Sequence, residues 1–139
     1  MSGEAYVFPS EEWIQKYVEL LNANEAYAEA AKDWEGDFVF LIEPDGEVIK
    51  EPIGFYLDLW HGKCRSAKMA GPDDTAEFVY AGPYENWKAL FAGKIHPIKG
   101  IMQRKFKLTG DYGKVMRATK AAMELVATAA RVPTRFLDE

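Results

Sequence analysis

The C-terminal third of the chain contains a long segment whose apolar surface is too wide for an ordinary surface helix. With residues placed at about 100° intervals, the polar side chains fall in one stripe and the apolar ones cover an arc of about 200°. The polar stripe consists of Lys114, Arg117, Lys120, Glu124 and Thr128. The apolar arc consists of Val115, Met116, Ala118, Ala122, Met123, Leu125, Val126, Ala127, Ala129 and Ala130. Because a helix resting on a core needs about half of that arc, we expect a bound apolar molecule, a partner chain or other elements of the chain to cover the rest.

Composition and length indicate one domain, expected to span residues 1–139. An apolar content of 48% and an aromatic content of 14% argue against disorder. No apolar run approaches the length of a membrane-spanning helix, and residues 1–5 lack the basic region and apolar core of a signal peptide. Cys64 is the sole cysteine, which excludes an intramolecular disulfide and favours a cytoplasmic location.

The charges are distributed unevenly along the chain. Residues 1–87 carry 18 acidic and 6 basic residues, whereas residues 88–139 carry 4 acidic and 11 basic ones. Either the two halves compensate each other within one fold, or a basic region near the last helix attracts an anionic headgroup and, transiently, an anionic membrane surface. Nucleic acid is not an expected partner, because the basic residues lack the aromatic platform and glycine pattern of common nucleic-acid-binding modules.

The first part of the chain predicts a helix followed by four strands. Ser10 is a hydroxyl cap followed by two acidic residues, so a helix is predicted from about residue 10 to 34, with Asn22 and Asn24 as points of interruption. The predicted strands are 38–42, 53–60, 63–69 and 75–80. The continuous apolar run 38–42 predicts a strand buried on both faces, and the succession of strands predicts an antiparallel meander.

The second part predicts two short helices, a fifth strand and a final helix. The short helices fall between residues 84 and 103, the strand follows near residue 105, and the last helix covers about residues 111–131. Asp111 is the predicted cap of that helix. Because the fifth strand returns after a helical excursion, we expect it to pair parallel to a neighbour.

Three motifs, taken in this order, resemble the sterol-carrier-protein type 2 domain family. They are Asp58-Leu59-Trp60-His61-Gly62-Lys63, then Trp87-Lys88-Ala89-Leu90-Phe91-Ala92-Gly93-Lys94-Ile95-His96-Pro97, then Phe106-Lys107-Leu108-Thr109-Gly110-Asp111. The resemblance covers most of the chain and is best from Ile53 to Leu125. Two departures stand out: Gln103-Arg104-Lys105 replaces the family's usual Ser-Gly-Lys, and Tyr6-Val7-Phe8-Pro9 has no counterpart.

The resemblance implies an α+β fold, with a five-stranded, mixed and mainly antiparallel sheet that carries helices on one face. It also implies an apolar tunnel between sheet and helices, which holds a fatty acyl chain, an acyl-CoA, a phospholipid or a sterol. The lipid contacts predicted on this basis are Leu90, Phe91, Ile98, Ile101, Met102, Phe106, Leu108, Val115, Met116, Thr119, Met123 and Val126. The basic residues predicted to hold a carboxylate or phosphate headgroup are Lys94, Lys99, Arg104, Lys105, Lys114 and Arg117.

The residues that could carry chemistry do not form a recognisable catalytic or metal-binding pattern. His61 and Cys64 flank a predicted hairpin turn and are not expected to converge, and His96 is the only other histidine. A zinc site would need more ligands at suitable spacing. Asp58 is predicted to lie on the solvent face of its strand. We therefore expect no catalytic residue, metal or cofactor.

Three functions remain open at this level. The first is a lipid-binding or lipid-transfer protein, monomeric or homodimeric, whose ligand lies against the last helix. The second is a homo-oligomerising, non-enzymatic interaction module without a lipid, in which a partner chain covers the extra apolar surface. The third is a small enzyme acting on acyl compounds, for which only Asp58, Thr109 and Thr119 offer polar groups.

Overall fold

A computed structural model of the chain describes residues 5–71 and 74–137. Residues 1–4, 72–73 and 138–139 of the domain predicted over 1–139 lie outside the described part. The strands are β1 (Tyr6–Phe8), β2 (Glu35–Glu43), β3 (Ile53–Trp60), β4 (Lys63–Ala70), β5 (Phe78–Pro83), β6 (Lys107–Thr109) and β7 (Thr134–Phe136). The helices are α1 (Glu11–Asn22), α2 (Glu25–Ala30), α3 (Tyr84–Phe91), α4 (Lys99–Met102), α5 (Tyr112–Arg117) and α6 (Thr119–Arg131).

The main sheet has five strands in the order β4-β3-β2-β5-β6, which confirms the predicted mixed α+β architecture. The meander prediction is wrong at its fourth strand, because β5 pairs in parallel with β2, whereas β6 pairs antiparallel with β5. The parallel pairing therefore involves β5, the fourth strand of the main sheet along the chain, and not the fifth strand, β6, as predicted. The reason lies in β2, whose apolar residues are buried on both faces and which takes the central position with a strand on each side.

Side chains alternate between the two faces of the sheet along the central strands. On β3, Phe55, Leu57 and Leu59 are at most 2% exposed and face the helices. On β2, Phe38 and Ile42 point to the same side and Val39 to the opposite one, and all three are buried. The β5 strand begins later than predicted, since the Glu77 amide donates to the Asp37 side-chain carboxylate at 2.7 Å instead of to a backbone carbonyl of β2.

The helix expected over residues 10–34 is two helices. Ser10 caps α1 as predicted, since its hydroxyl accepts a hydrogen bond from the Trp13 amide at 3.1 Å. Asn24 starts α2, and its side-chain oxygen accepts from the Tyr27 amide at 3.1 Å. An asparagine side chain that bonds to the local backbone competes with helix continuation, so the chain breaks at this point and turns toward β2 after α2 ends at Ala30.

The final helix, expected over residues 111–131, is divided at Ala118 into α5 and α6. Asp111 caps α5 as predicted, with its carboxylate accepting from the Lys114 amide at 3.2 Å. The Thr119 hydroxyl donates to the Met116 carbonyl at 2.6 Å, which offers the backbone an alternative to a continuous helix.

One flank of α6 is tied to the N-terminal helices by buried polar groups. Thr128, from the predicted polar stripe, is fully buried. The Asn24 side-chain amide donates to the Thr128 hydroxyl at 2.9 Å and to the Glu124 carboxylate at 3.2 Å. This end of the polar stripe therefore joins α6 to the start of α2.

The two terminal segments form a small parallel sheet, β1–β7, in which Phe8 aligns with Phe136. We call this pair the terminal clasp. The Tyr84 hydroxyl donates to the Phe8 carbonyl at 3.1 Å and accepts from the Leu137 amide at 2.6 Å. The Trp13 indole donates to the Thr134 hydroxyl at 2.9 Å. Since a two-stranded sheet is marginal by itself, these hydrogen bonds and the packing of the Phe8 ring attach the clasp to the domain.

Candidate functional site

An apolar cavity lies between the main sheet and the helices. Its free volume is about 70 Å³, and at about 10–15 Å³ for each water-sized group this corresponds to about five to seven such groups. From the sheet it is lined by Phe38, Phe40, Phe55 and Tyr80, and from the clasp and α1 by Phe8, Trp13 and Tyr17. The α3–α4 region contributes Trp87, Leu90, Phe91, Pro97 and Ile98. The roof, formed by α5 and α6, contributes Val115, Ala122, Leu125, Val126 and Ala129.

The cavity is bordered in one place by Phe8 and in another by the side chains that it shares with a second cavity. At one end Phe8 packs against Phe55, with ring centroids 5.8 Å apart; we call this the Phe8 end. At the other end, the Phe38 end, a second cavity of about 20 Å³ continues toward Trp34 and Tyr27. The side chains that line both cavities, and so stand between them, are Phe38, Val115, Ala122 and Leu125.

The two ends differ in the side chains that close them. At the Phe8 end the Trp13 ring stacks on Tyr17, Phe91 and Phe55, with centroid distances of 5.3, 5.6 and 5.8 Å. We call the cluster of Phe8, Trp13, Phe55 and Phe91 the aromatic wall. The Phe38 end is closed partly by small and aliphatic side chains of the roof. Stacked rings resist displacement more than single aliphatic side chains do.

Polar groups near the cavity are bonded to other protein atoms. The Tyr17 hydroxyl donates to the Leu125 carbonyl at 2.9 Å, and the Tyr80 hydroxyl donates to the Pro97 carbonyl at 2.8 Å. Burial raises the pKa of both phenols, which therefore stay neutral. Across residues 5–71 and 74–137, every buried side-chain nitrogen or oxygen has a hydrogen-bond partner. The cavity thus presents carbon surface to whatever enters it.

Five of the twelve predicted lipid contacts line the cavity, namely Leu90, Phe91, Ile98, Val115 and Val126. The other seven lie outside the lining, namely Ile101, Met102, Phe106, Leu108, Met116, Thr119 and Met123. Phe106 is buried and stacks on the outer side of Tyr80 at 4.6 Å, whereas Met102, Met116 and Met123 are 67%, 45% and 41% exposed. As ligand contacts, all twelve residues remain predictions.

The lining residues that the sequence reasoning missed come mainly from the sheet and the N-terminal segment. Strand alternation puts Phe55, Leu57 and Leu59 on one face and could have indicated an inward position for Phe55. Trp13 and Tyr17 share one face of α1 and could have been found by the same argument. Phe8 carried no such signal, because its position depends on the pairing of β1 with β7.

Five of the six basic residues proposed for a headgroup lie on the surface: Lys94, Lys99, Arg104, Lys105 and Arg117 are exposed. Lys114 is half-buried, forms an ion pair with Glu77 at 2.9 Å, and lies over the Trp34 ring at 4.9 Å. This ion pair joins the acidic and basic halves of the chain. Lys94, Lys99 and Lys105 lie on the segment that also supplies Pro97 and Ile98 to the cavity.

The other residues considered for catalysis or metal binding interact with groups of the protein itself. The His61 ring contacts the Glu35 carboxylate at 2.6 Å, and His96 Nδ1 accepts from the Ile98 amide at 3.0 Å. Burial raises the pKa of the Cys64 thiol to about 11. Asp58 pairs with Arg65 at 3.1 Å on the sheet face opposite the helices. Among the described residues, no group of three or more His, Cys, Asp or Glu side chains is placed to hold a metal ion.

In the part of the chain that the structure describes, no helix combines the length and apolar character needed to cross a membrane. The longest, α6, has 13 residues, and a spanning helix needs about 20.

Comparison with known proteins supplies a family match. Residues 15–123 match the model of the SCP-2 sterol transfer family, so β1 and β7 lie outside the matched range. No match is found among curated proteins.

Solved structures give further matches. The crystal structure of sterol carrier protein 2 is 33% identical and covers 88% of this chain and 97% of its own, with a TM-score of 0.81. The solution structure of a conserved hypothetical protein from Thermus thermophilus, described as possibly a sterol carrier protein, is 32% identical and covers 96% of each chain, with a TM-score of 0.85. Sterol Carrier Protein-2 from Aedes aegypti, solved in complex with C16 fatty acid (palmitate), shares the fold at 18% identity, 84% and 93% coverage and a TM-score of 0.54.

Proposed function

The chain belongs to the SCP-2 sterol transfer family, and on that premise we propose that it binds and carries a lipid, with one fatty acyl chain in the cavity beneath α5 and α6. The observation that carries the proposal is the lining itself, which offers carbon surface and no unsatisfied polar atom. An acyl chain gains about 0.8 kcal/mol for each buried methylene. The palmitate complex of the Aedes aegypti protein supports a ligand of this class for the fold.

The free volume indicates that a long chain needs more room than the cavity offers as it stands. Space for about five to seven water-sized groups accommodates part of a long acyl chain. Rotation of Val115 and Leu125, which separate the two cavities, would extend the space toward the Phe38 end. The small side chains of the roof make this the adaptable side, and an outward shift of α6 would release the ligand.

The polar end of the ligand is expected to remain at the surface. The cavity lining offers a carboxylate or phosphate no free donor, and burying such a charge without a partner is strongly unfavourable. The exposed lysines between Lys94 and Lys105 lie on the segment that lines the cavity through Pro97 and Ile98. We assign the headgroup to this surface, with Arg104 and Arg117 as further partners.

A carrier fits the lining better than an enzyme does. Thr119 lies outside the cavity lining and bonds to the Met116 carbonyl, Thr109 is exposed on β6, and Asp58 lies on the other face of the sheet. General acid–base or nucleophilic chemistry needs such a group within hydrogen-bonding reach of the reacting atom.

The test uses mass spectrometry of the gently purified protein, lipid analysis of an organic extract, and titration with the fluorescent polyene parinaric acid. A matched pair of variants on α6 adds specificity. Ala122→Glu places a carboxylate in the cavity and is expected to weaken probe binding at least about tenfold. Ala130→Glu, at an exposed position of the same helix, is expected to leave binding unchanged. Wild-type protein that is lipid-free and binds no acyl probe would contradict the proposal.

The exposed methionines of the roof favour one second candidate, a homo-oligomer. Met116 and Met123 present apolar surface on the outer side of α5 and α6, and a second copy of the chain would cover it. Light scattering across a range of protein concentrations distinguishes the candidates. A dimer that carries no lipid and does not bind parinaric acid would support the interaction module in place of the carrier.

A further inference from the structure

The Phe8 ring borders the apolar cavity and belongs to the terminal clasp. Its side chain is 1% exposed and lies among the lining residues. The rings around it, with their centroid distances, are Trp13 at 4.8 Å, Phe91 at 5.0 Å, Phe55 at 5.8 Å, Phe136 at 6.0 Å and Tyr84 at 6.2 Å. A ring held on several sides in this way cannot rotate out of the path of a ligand without moving its neighbours.

The main chain fixes the same ring from outside the cavity. The Phe8 carbonyl accepts from the Tyr84 hydroxyl, and the Tyr6 amide donates to the Pro133 carbonyl at 2.8 Å. Register pairing places Phe8 beside Phe136 in the terminal clasp. Phe8 is therefore positioned by the pairing of the two terminal segments, whereas the other sheet-side lining residues are positioned by the main sheet.

The clasp lies outside the range that matches the family model, which begins at residue 15 and ends at 123. The sheet, α3, α4 and α5 fall within that range. The match therefore covers twelve of the seventeen lining residues and leaves out Phe8 and Trp13 on the N-terminal side and Leu125, Val126 and Ala129 on the C-terminal side. A property determined by Phe8 belongs to the terminal segments of this chain.

The opposite end offers a ligand more freedom. There, Val115, Ala122 and Leu125 separate the cavity from a second one, and such side chains adjust by rotation at modest cost. A chain that meets these side chains gains room, whereas one that meets the fixed rings around Phe8 gains none. We propose that Phe8 is the stop for the methyl end of the acyl chain and so sets the longest chain that binds well; this inference rests on the proposed function.

Binding of a series of saturated fatty acids, from octanoate to eicosanoate, tests the inference by competition with parinaric acid. In the wild type, affinity is expected to rise about fourfold for each added methylene until the methyl end meets Phe8, and to level off there. Phe8→Ala leaves a cavity in place of the ring, so the levelling-off point is expected to move to acids longer by about two to four methylenes.

Two further variants serve as control and counterpart. Phe136→Ala removes a ring from the same clasp that contacts Phe8 but does not line the cavity, so the levelling-off point is expected to stay in place. Ala129→Leu adds bulk to the lining near the C-terminal end of α6 and is expected to move that point to shorter acids. Phe8→Leu, a milder truncation, is expected to shift it in the same direction as Phe8→Ala, and it replaces that variant if the protein does not fold.

The outcomes separate the two proposals. If the wild type binds no acid of the series, the proposed function fails and this inference fails with it. If the wild type binds tightly but Phe8→Ala, or Phe8→Leu in its place, levels off at the same acid, only the assignment to Phe8 is overturned. An equal shift in Phe136→Ala also overturns it, because integrity of the clasp would then set the length.

Discussion

The aromatic wall and the roof enclose the same cavity but are built from different kinds of side chain. The wall consists of large rings, with Trp13 stacked on Tyr17 and Phe91 at interplanar angles of 10° and 14°. The roof consists of alanines and branched aliphatic residues on two short helices that meet at Ala118. Rings in mutual contact keep one arrangement, whereas small side chains on a divided helix allow several. We infer that the wall limits the ligand and the roof adapts to it.

The largest expected effect comes from opening the wall. Trp13→Ala removes a side chain that is 3% exposed and contacts several rings, so the free energy of unfolding in urea is expected to fall by about 3–5 kcal/mol. Trp60→Ala is the matched control, because Trp60 is 38% exposed on the other face of the sheet, and its cost is expected to stay below about 1 kcal/mol. Equal losses of unfolding free energy in the two variants would contradict a special contribution of the wall to stability.

A truncation in the roof is expected to cost less. Leu125→Ala affects a half-buried side chain that lines both cavities, so the free energy of unfolding is expected to fall by about 2 kcal/mol, and parinaric acid is expected to dissociate faster. Leu137→Ala, at a leucine that is 45% exposed, is the control and is expected to change stability by less than about 1 kcal/mol. A loss as large as that of Trp13→Ala would argue for a rigid roof.

The hydrogen bond from Tyr17, which stacks on Trp13 of the wall, to the roof should give a smaller effect. Tyr17→Phe keeps the stacked ring and removes the donor to the Leu125 carbonyl, which is expected to lower stability by about 1 kcal/mol. Tyr112→Phe, at a partly exposed position on α5, is the matched change and should stay within about 0.5 kcal/mol of the wild type. Identical thermal unfolding of both variants would show that the two sides are not coupled through Tyr17.

The outer face of the roof should give the smallest effect. Met123→Gln changes an exposed side chain outside the cavity lining, and parinaric acid affinity is expected to change less than about twofold. Val126→Gln introduces the same amide side chain on the inner face, where it would meet the ligand without a hydrogen-bond partner. This variant should bind parinaric acid about tenfold more weakly. A strong loss with Met123→Gln would place that methionine in contact with the lipid.

Much of the fold could be predicted because its signals are local. The helix caps at Ser10 and Asp111 and the bounds of β3 follow from neighbouring residues, and the structure has them as predicted. The pairing of β5 with β2 and the terminal clasp could not be predicted in this way. Such pairings join segments far apart in the chain, and the periodicity of a segment does not indicate which other segment it pairs with.

The site was harder to predict than the fold for a related reason. The apolar arc of the last helix was real, but periodicity does not tell which part of a wide arc meets the sheet. Val115 and Val126 lie on the inner part, whereas Met116 and Met123 lie on the outer part. The aromatic wall draws residues from several elements, which only the tertiary structure brings together.

The attachment of α6 defines the direction in which the cavity can open. Asn24 holds α6 through Thr128 and Glu124, and Tyr17 holds it through the Leu125 carbonyl, all from the α1–α2 side. A helix held along one edge moves away from the domain most easily along its other edge. We therefore expect the gap to appear along the edge next to α3 and α4. The Asn86 side chain of α3 donates to the Lys105 carbonyl at 2.9 Å, so the segment that carries the lysines from Lys94 to Lys105 adjoins α3. A departing lipid would therefore leave sideways past those cations, with its headgroup first and its tail last.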